Sequence, residues 1–165
     1  MAPQYEHPFA SAVQGAVMYG SVLTTPTSYA EAKAMLPLLD WATLETERIT
    51  GTDPLESLIG SQTAWFGEYP MCSYGIVEPE DGQPARAWMM TTKFVAEQRL
   101  GRHLLKTMRV FLGEAVARYG RVEGYALMTG HAPRMLHFLG ATFMVAHPKL
   151  VCWELHENDR LRRAG

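Results

Sequence analysis

The sequence predicts a mixed α/β domain in which helices lie before and between the strands of a sheet. Short apolar runs bounded by Gly and Pro recur along the chain, and such runs are typical of strands. The segment after Gly101 repeats apolar residues at helical spacing, and the almost continuously apolar run 122–128 that follows is typical of a buried central strand. At 165 residues the chain has the length of one domain.

Composition excludes several classes of protein. Hydrophobic residues make up 47% of the chain, as in an ordinary globular core, and the formal net charge of −2 gives no basic field that attracts nucleic acid. No apolar run approaches the ~18 residues that a membrane helix needs. Two cysteines, Cys72 and Cys152, are too few for a disulfide framework. We therefore expect a soluble protein of the cytoplasm without a nucleic-acid or membrane partner.

The first part of the chain is predicted to hold an arm, a strand and a helix. Residues 1–15 carry prolines and small residues without periodicity, which indicates an extended N-terminal arm. Residues 16–23 are apolar and β-branched and predict the first strand. Ser28, with Glu31 three residues later, forms a capping box that begins a helix. Pro37 breaks this helix because proline lacks an N–H and clashes with the preceding turn.

Two further helices and a hairpin are predicted next. Residues 38–49 follow helical spacing and Gly51 is a natural stop. Asp53 followed by proline begins a short helix, since proline fits the first helical position. Residues 63–66 and 71–77 then predict two strands around a Gly- and Pro-bearing turn.

The second half predicts the unit that carries the function. An exposed loop leads into a strand at 87–92, and a Gly-bearing turn at 98–103 leads into a long amphipathic helix that ends at Tyr119. After the strand 122–128 come a short helix and two strand candidates, 142–146 and 150–155. We expect one domain over residues 16–156. Residues 157–165 carry Arg160, Arg162 and Arg163 and predict a basic C-terminal tail.

The 98–103 turn has the chemistry of a phosphate site. The first amides of a helix lack partners within the helix, and the helix dipole favours negative charge there. Gly101 lets the backbone approach a ligand, while Gln98, Arg99 and Arg102 can donate hydrogen bonds to phosphate oxygens. A plain strand–helix turn explains the same residues, so this feature alone does not decide the function.

Two segments resemble signatures of the GCN5-related N-acetyltransferase (GNAT) superfamily. Residues 98–103, Gln-x-x-Gly-x-His, resemble its acyl-CoA pyrophosphate signature, Gln/Arg-x-x-Gly-x-Gly/Ala. Residues 129–140, Thr-x-x-Ala-x-x-Met-Leu-x-x-x-Gly, resemble its later signature, Asn-x-x-Ala-x-x-Leu-Tyr-x-x-x-Gly-Phe. The order of strands and helices matches that of the family over about residues 16–156.

The resemblance implies an acyl-CoA N-acyltransferase fold, with a central mixed, largely antiparallel sheet flanked by helices. It implies acetyl-CoA as the cofactor and an amine as the acceptor. The residues that it assigns to acetyl-CoA form the end of the 87–92 strand and the turn after it: Met90, Thr91, Thr92, Gln98, Arg99, Leu100, Gly101, Arg102 and His103.

More narrowly, the chain resembles acetyltransferase-like proteins of short-tailed bacteriophages that are described as internal virion proteins. This likeness is carried by residues 88–92, Trp-Met-Met-Thr-Thr, and by residues 134–143, Arg-Met-Leu-His-Phe-Leu-Gly-Ala-Thr-Phe, with Gly67 and Pro70 in the hairpin. It implies the host cytoplasm or the phage particle as the location, and other virion proteins as partners.

The chain departs from the GNAT pattern at positions that matter for chemistry. His103 stands where the family has Gly or Ala, so the phosphate turn is more crowded. Leu136 stands where most of the family has the Tyr that protonates the leaving thiolate, and leucine cannot act as an acid. Thr129 replaces an Asn that steadies the cofactor arm in the family.

An acid or base must therefore come from another residue. The candidates are His131 and His137, because an imidazole can accept a proton near neutral pH, together with Glu97 and Cys72. Each histidine also fits a plain loop or helix surface. No HExxH motif, cysteine pair or acidic cluster predicts a metal site.

Three functions remain open on the sequence. The first is an acetyl-CoA-dependent N-acetyltransferase with a degenerate active site. The second is a virion or assembly component that keeps the fold without turnover, and the third is an inhibitor of a host protein, since a fold alone does not fix a function.

Overall fold

The structure is a computed structural model that describes residues 17–19 and 21–163. Its strands are β1 (Val17–Tyr19), β2 (Val22–Pro26), β3 (Gln62–Phe66), β4 (Tyr69–Val77), β5 (Ala85–Thr91), β6 (Arg121–Leu127), β7 (Thr142–Val145) and β8 (Leu150–His156). Its α-helices are α1 (Tyr29–Met35), α2 (Trp41–Thr50), α3 (Pro54–Leu58), α4 (Phe94–Glu97), α5 (Gly101–Tyr119), α6 (Ala132–Phe138) and α7 (Asp159–Arg162).

The chain divides into two compact units. The first contains the described residues up to Gly75 together with Met89–Leu104, and the second contains Ile76–Trp88 and the residues from Leu105 onward. The boundaries fall within β4, β5 and α5.

In the first unit, β1 to β4 pair in chain order and each is antiparallel to the next. Trp65 of β3 is fully buried and its indole N–H donates to Thr25 Oγ1 of β2 at 3.1 Å, so its polar atom is satisfied within the core. Met35 and Leu58 bring α1 and α3 into the same core. The 98–103 turn belongs to this unit.

Local sequence signals predicted α1, α2 and α3, although α2 begins at Trp41 and not at residue 38. Ser28 and Glu31 make both hydrogen bonds of the predicted capping box at the start of α1. A 3₁₀ turn at Leu36–Leu38 contains Pro37 and ends α1, as expected for proline. Gly51 ends α2 in the left-handed conformation with φ 74°, and Asp53 caps α3.

In the second unit, the strands lie in the order β5, β6, β8, β7. β5 and β6 are parallel and pair only through Ala85 with Val122 and Arg86 with Glu123, whereas the other two ladders are antiparallel. The predicted mixed, largely antiparallel sheet is therefore confirmed. α6 packs on β6 and β8, and the part of α5 in this unit buries the predicted apolar stripe at Met108, Leu112, Ala115 and Val116.

Gly124 of β6 lets the Trp153 ring and the Ala87 backbone come close to the strand inside the second unit. A Cβ at this position would lie 2.4 Å from Trp153 Cζ2 and 2.6 Å from the carbonyl oxygen of Ala87. Any side chain here would overlap both the indole and the backbone. Glycine is therefore required by packing, and the Trp153 ring fills the space instead.

The structure differs from the sequence predictions in three places. One strand was predicted over residues 16–23, whereas the described residues form two antiparallel strands, β1 and β2. α4 was not predicted. Residues 157–163 form α7 with a buried Leu161, where a basic tail was predicted, and the Asn158 side chain caps this helix. The predicted arm at 1–15 lies outside the described residues.

Candidate functional site

A short helix sets the backbone of the 98–103 turn. α4 ends in a Schellman motif, in which the amide of Leu100 donates to the Val95 carbonyl at 2.9 Å and the amide of Arg99 donates to the Ala96 carbonyl at 3.3 Å. Arg99 is the only non-glycine residue with positive φ, 53°, among the described residues. Such a conformation costs about 1–2 kcal/mol for an L-residue. Arg99 thus occupies a left-handed position that glycine adopts without steric cost.

Gly101 begins α5 in open surroundings. A Cβ built on Gly101 meets no atom within 4 Å, so nothing in the described chain crowds this point. The helix begins here, and the amides of Gly101 and Arg102 donate no hydrogen bond among those described. The positive end of a 19-residue helix therefore carries two N–H groups with no partner among the described hydrogen bonds.

The side chains of the turn divide into anchors and exposed groups. Leu100 is only 4% exposed and holds the turn on the core, so it can offer a ligand only its backbone. Arg99 and Arg102 are exposed, and Gln98 is half-buried. The turn therefore presents two guanidinium groups beside the helix start, which is the charge arrangement that a phosphate group favours.

His103 is held against β3. Its imidazole lies 4.3 Å from the Phe66 ring, measured between ring centroids, with the planes inclined by 36°. The residue is half-buried. The larger side chain predicted to crowd the phosphate turn therefore packs against Phe66.

The strand end before the turn is closely bonded inside the first unit. Met90 is fully buried. The amide of Thr91 donates to Thr43 Oγ1 at 3.0 Å, and the amide of Thr92 donates to the Met71 carbonyl at 3.0 Å. These two amides already have partners, so a ligand beside β5 needs other donors or must displace Thr43.

Asp40 and Thr43 join the site, and the sequence analysis did not identify either residue. Asp40 caps α2, since its Oδ1 accepts the Thr43 amide at 2.8 Å, and its Oδ2 accepts the Thr91 hydroxyl. The Asp40 amide donates in turn to the Thr91 carbonyl at 2.9 Å. An Asp at a helix start predicts a cap, but no local signal links it to a threonine 51 positions later.

The two predicted catalytic histidines belong to the second unit. His131 precedes α6 and His137 lies in its last turn, and both are exposed. Neither imidazole makes a hydrogen bond among those described, although the His137 carbonyl accepts from Arg160 Nη1 at 2.9 Å. Leu136 between them is 4% exposed and packs in the core. No described hydrogen bond therefore orients either predicted base, although the His137 ring lies 6.5 Å from the Phe143 ring, measured between centroids.

The other two candidates differ in their environments. Cys72 is fully buried, and burial raises the pKa of its thiol to about 12, so it is protonated and inaccessible. Glu97 is exposed at the end of α4. Cys152 is partly buried, and burial followed by the charge of Glu123 raises the pKa of its thiol.

Two kinds of site are absent from residues 17–19 and 21–163. This part of the chain contains no group of three or more His, Cys, Asp or Glu side chains that could hold a metal ion. It also contains no helix long and apolar enough to cross a membrane.

The chain is similar in structure to known acetyltransferases. One is an acetyltransferase of the GNAT family from Bacillus anthracis, with 5% identity, a TM-score of 0.60, and coverage of 86% of this chain and 98% of the other. A second is RimJ of Mycobacterium smegmatis, solved in complex with CoA-disulfide, with 10% identity, a TM-score of 0.57, and coverage of 86% and 87%. A third is yncA of Salmonella typhimurium, solved with its cofactor acetyl-CoA, with 14% identity, a TM-score of 0.53, and coverage of 85% and 96%.

These likenesses show that the chain has the GNAT acetyltransferase fold. Identities this low establish the fold and leave the activity to the residues of the site. No protein-family model matches the chain, and a search of curated protein sequences finds no match.

Proposed function

We propose that this protein, with its GNAT fold, binds acetyl-CoA at the 98–103 turn and transfers the acetyl group to an amine. The observation that carries the proposal is the open helix start at Gly101, flanked by the exposed Arg99 and Arg102. A diphosphate carries negative charge and many acceptor oxygens, which match the free amides and the two guanidinium groups. Two proteins of similar fold were solved with CoA-disulfide and with acetyl-CoA.

The residues of the turn fit this ligand. Gly101 lies in open surroundings, and the Leu100 anchor fixes its position. Acetyl-CoA supplies the activated thioester, and the chain supplies binding and orientation of the two reactants, which is a large part of catalysis for a bimolecular reaction.

The direct test is calorimetry of acetyl-CoA and CoA with the parent protein and with Gly101→Ala. The added methyl group meets nothing in the protein, so a loss of affinity reports contact with the ligand. We expect a loss of about tenfold or more, because backbone hydrogen bonds to a charged group contribute about 1.5–3 kcal/mol each.

Gly113→Ala is the matched control. Gly113 lies in the same helix, and its added Cβ would approach only the Leu161 carbonyl oxygen, at 3.8 Å. This variant should bind as the parent does. Absence of binding by the parent at millimolar acetyl-CoA, or equal affinities for the parent and Gly101→Ala, would refute the proposed site.

A second candidate function is favoured by Leu136. Its side chain packs in the core at the position where the resemblance implies a catalytic tyrosine, so the fold can serve without turnover. We propose as this alternative a phage protein of the host cytoplasm or the virion, acting as an assembly component or as an inhibitor of a host protein. Mass spectrometry of purified particles tests the virion role, and consistent absence from particles would count against it.

A further inference from the structure

A carboxylate and two hydroxyl groups meet at the end of β5. Asp40 Oδ1 accepts the Thr43 amide at 2.8 Å, and Oδ2 accepts the Thr91 hydroxyl. Thr43 Oγ1 accepts the Thr91 amide at 3.0 Å and lies 3.2 Å from Thr91 Oγ1. Thr43 is buried, whereas Asp40 and Thr91 are half-buried and keep some access to solvent.

The direction of the Asp40–Thr91 hydrogen bond follows from chemistry. An ionised carboxylate has no proton to donate, so the Thr91 hydroxyl donates to Asp40. Hydrogen bonds to charged acceptors are stronger than neutral ones, and this bond draws the hydroxyl proton towards Asp40 Oδ2. The Thr91 oxygen keeps lone pairs that can accept a proton from another group.

Backbone pairing fixes this geometry. The Asp40 amide donates to the Thr91 carbonyl at 2.9 Å, and the Lys93 amide donates to the Leu38 carbonyl at 2.9 Å. On the other side, the Thr92 hydroxyl donates to the Pro70 carbonyl at 2.6 Å. Hydrogen bonds on both sides therefore hold the strand end that carries Thr91. A catalytic group needs such support, because it must stay at a fixed distance from the reacting atoms.

We propose that Thr91 and Asp40 form the proton-accepting pair of acetyl transfer, with Thr91 in contact with the acceptor amine and Asp40 as the positioning residue behind it. The inference rests on the proposed function. The pair supplies a proton-transferring group, which the chain lacks at Leu136. No described hydrogen bond orients His131 or His137 to take that role.

The proton and the electron pairs balance in this reaction. As the amine nitrogen forms its bond to the acetyl carbon, Thr91 Oγ1 accepts the amine proton and passes its own proton to Asp40 Oδ2. The bond between the acetyl carbon and sulfur breaks, and its electron pair leaves on sulfur. The same path returns the proton from Asp40 through Thr91 to the thiolate, which departs as the CoA thiol.

The test measures release of the CoA thiol from acetyl-CoA with three probe amines, the tripeptide Ala-Ala-Ala, spermidine and lysine, and measures acetyl-CoA affinity by calorimetry in parallel. We expect Asp40→Asn and Thr91→Val each to lower kcat by about 100-fold, the scale of general base catalysis, with affinity within twofold of the parent. Thr91→Ser keeps a hydroxyl and should retain most of the activity. The double variant should lose little more than either single variant, because the two residues act as one unit.

Thr46→Val is the matched control, since this hydroxyl on α2 donates only to the Ala42 carbonyl, at 2.8 Å, among its described bonds. It should keep the parental kcat. Loss of acetyl-CoA affinity in both Asp40→Asn and Thr91→Val would assign the pair to binding and overturn the inference, as would full activity of Thr91→Val. A parent protein that binds acetyl-CoA but releases no thiol with any probe would overturn both the pair's role and acetyl transfer, while cofactor binding would stand.

Discussion

The imidazole of His103 lies on the ring of Phe66, with centroids 4.3 Å apart. The contact joins the first turn of α5 to β3 within the first unit. It keeps the larger side chain at this position packed against the sheet, where the GNAT signature has Gly or Ala. The effect of His103 on ligand binding at the phosphate turn can therefore be measured separately from its effect on stability.

Replacing His103 with alanine should lower stability and leave binding unchanged. We expect the free energy of unfolding to fall by about 1 kcal/mol, the value of a ring–ring contact. We expect the affinity for acetyl-CoA to stay within about twofold of the parent (about 0.4 kcal/mol), because the imidazole packs against Phe66 and Gly101 is already open. Denaturant unfolding and calorimetry give the two quantities. Phe66→Leu serves as the control, because it removes the ring contact but keeps the imidazole, and it should also bind as the parent does. A gain in affinity in His103→Ala alone would show that the size of residue 103 limits binding.

Replacing Arg99 with glycine should have opposite effects on stability and on binding. Glycine adopts φ of +53° without the steric cost that arginine bears, so we expect stability to rise by about 0.5–1 kcal/mol. Loss of the guanidinium should weaken acetyl-CoA binding by about tenfold at low salt, and by less at high salt because charge is screened. Arg118→Ala removes an exposed arginine at the other end of α5 and should leave affinity unchanged. Unchanged affinity of Arg99→Gly would remove Arg99 from the site.

Replacing Gly124 with alanine should destabilise the protein severely. The new methyl group would overlap Trp153 and the Ala87 carbonyl at 2.4 and 2.6 Å, and we expect a loss of about 3 kcal/mol or more in thermal or denaturant unfolding. Gly113→Ala, in a helix interior with 3.8 Å of clearance, should instead gain about 0.5–1 kcal/mol. Adding Trp153→Phe to Gly124→Ala should recover only part of the loss, since the backbone overlap remains. A Gly124→Ala protein as stable as the parent would contradict this packing.

Cys72 should make stability depend on alkaline pH. Burial raises the pKa of its thiol to about 12, above the value of about 8.5 in an unfolded chain. A raised pKa means that this stability is fully present below about pH 8.5 and is lost as the pH rises towards 12, by at most about 1.4 kcal/mol per unit. Cys72→Ala should lower stability at neutral pH, because it leaves a small cavity. It should also reduce the dependence of the free energy of unfolding on pH above about 8.5. Parallel unfolding curves for both proteins from pH 8.5 to 10.5 would disprove the linkage.

Features fixed by neighbouring residues could be predicted from the sequence. The capping box of Ser28 and Glu31, the stop at Gly51 and the cap at Asp53 depend on residues within three or four positions, so the sequence alone shows them. The turn at Gly101 was found in the same way, because a glycine between a strand and a helix is a local signal.

Features fixed by contacts between distant residues could not be predicted. α4 has only four residues, Phe94–Glu97, and the turn that follows it places Arg99 in a left-handed conformation that is more usual for glycine. The Asp40–Thr91 hydrogen bond joins residues 51 positions apart, and neither residue type is unusual where it stands. α7 looked like a charged tail because the single buried Leu161 is surrounded by arginines. α7 lies beside the α5 backbone at Gly113, and the sequence alone does not show that these distant segments are neighbours.

The Asn158–Leu161 segment also links the end of α6 to a part of the chain that follows all the strands. The Asn158 side chain lies against the position of a Gly140 side chain, and Arg160 donates a hydrogen bond to the His137 carbonyl at the end of α6. A protease that cuts the chain between β8 and Asn158 would therefore remove both contacts at once. Resistance of this connection to proteolysis thus reports whether α7 is docked on α6.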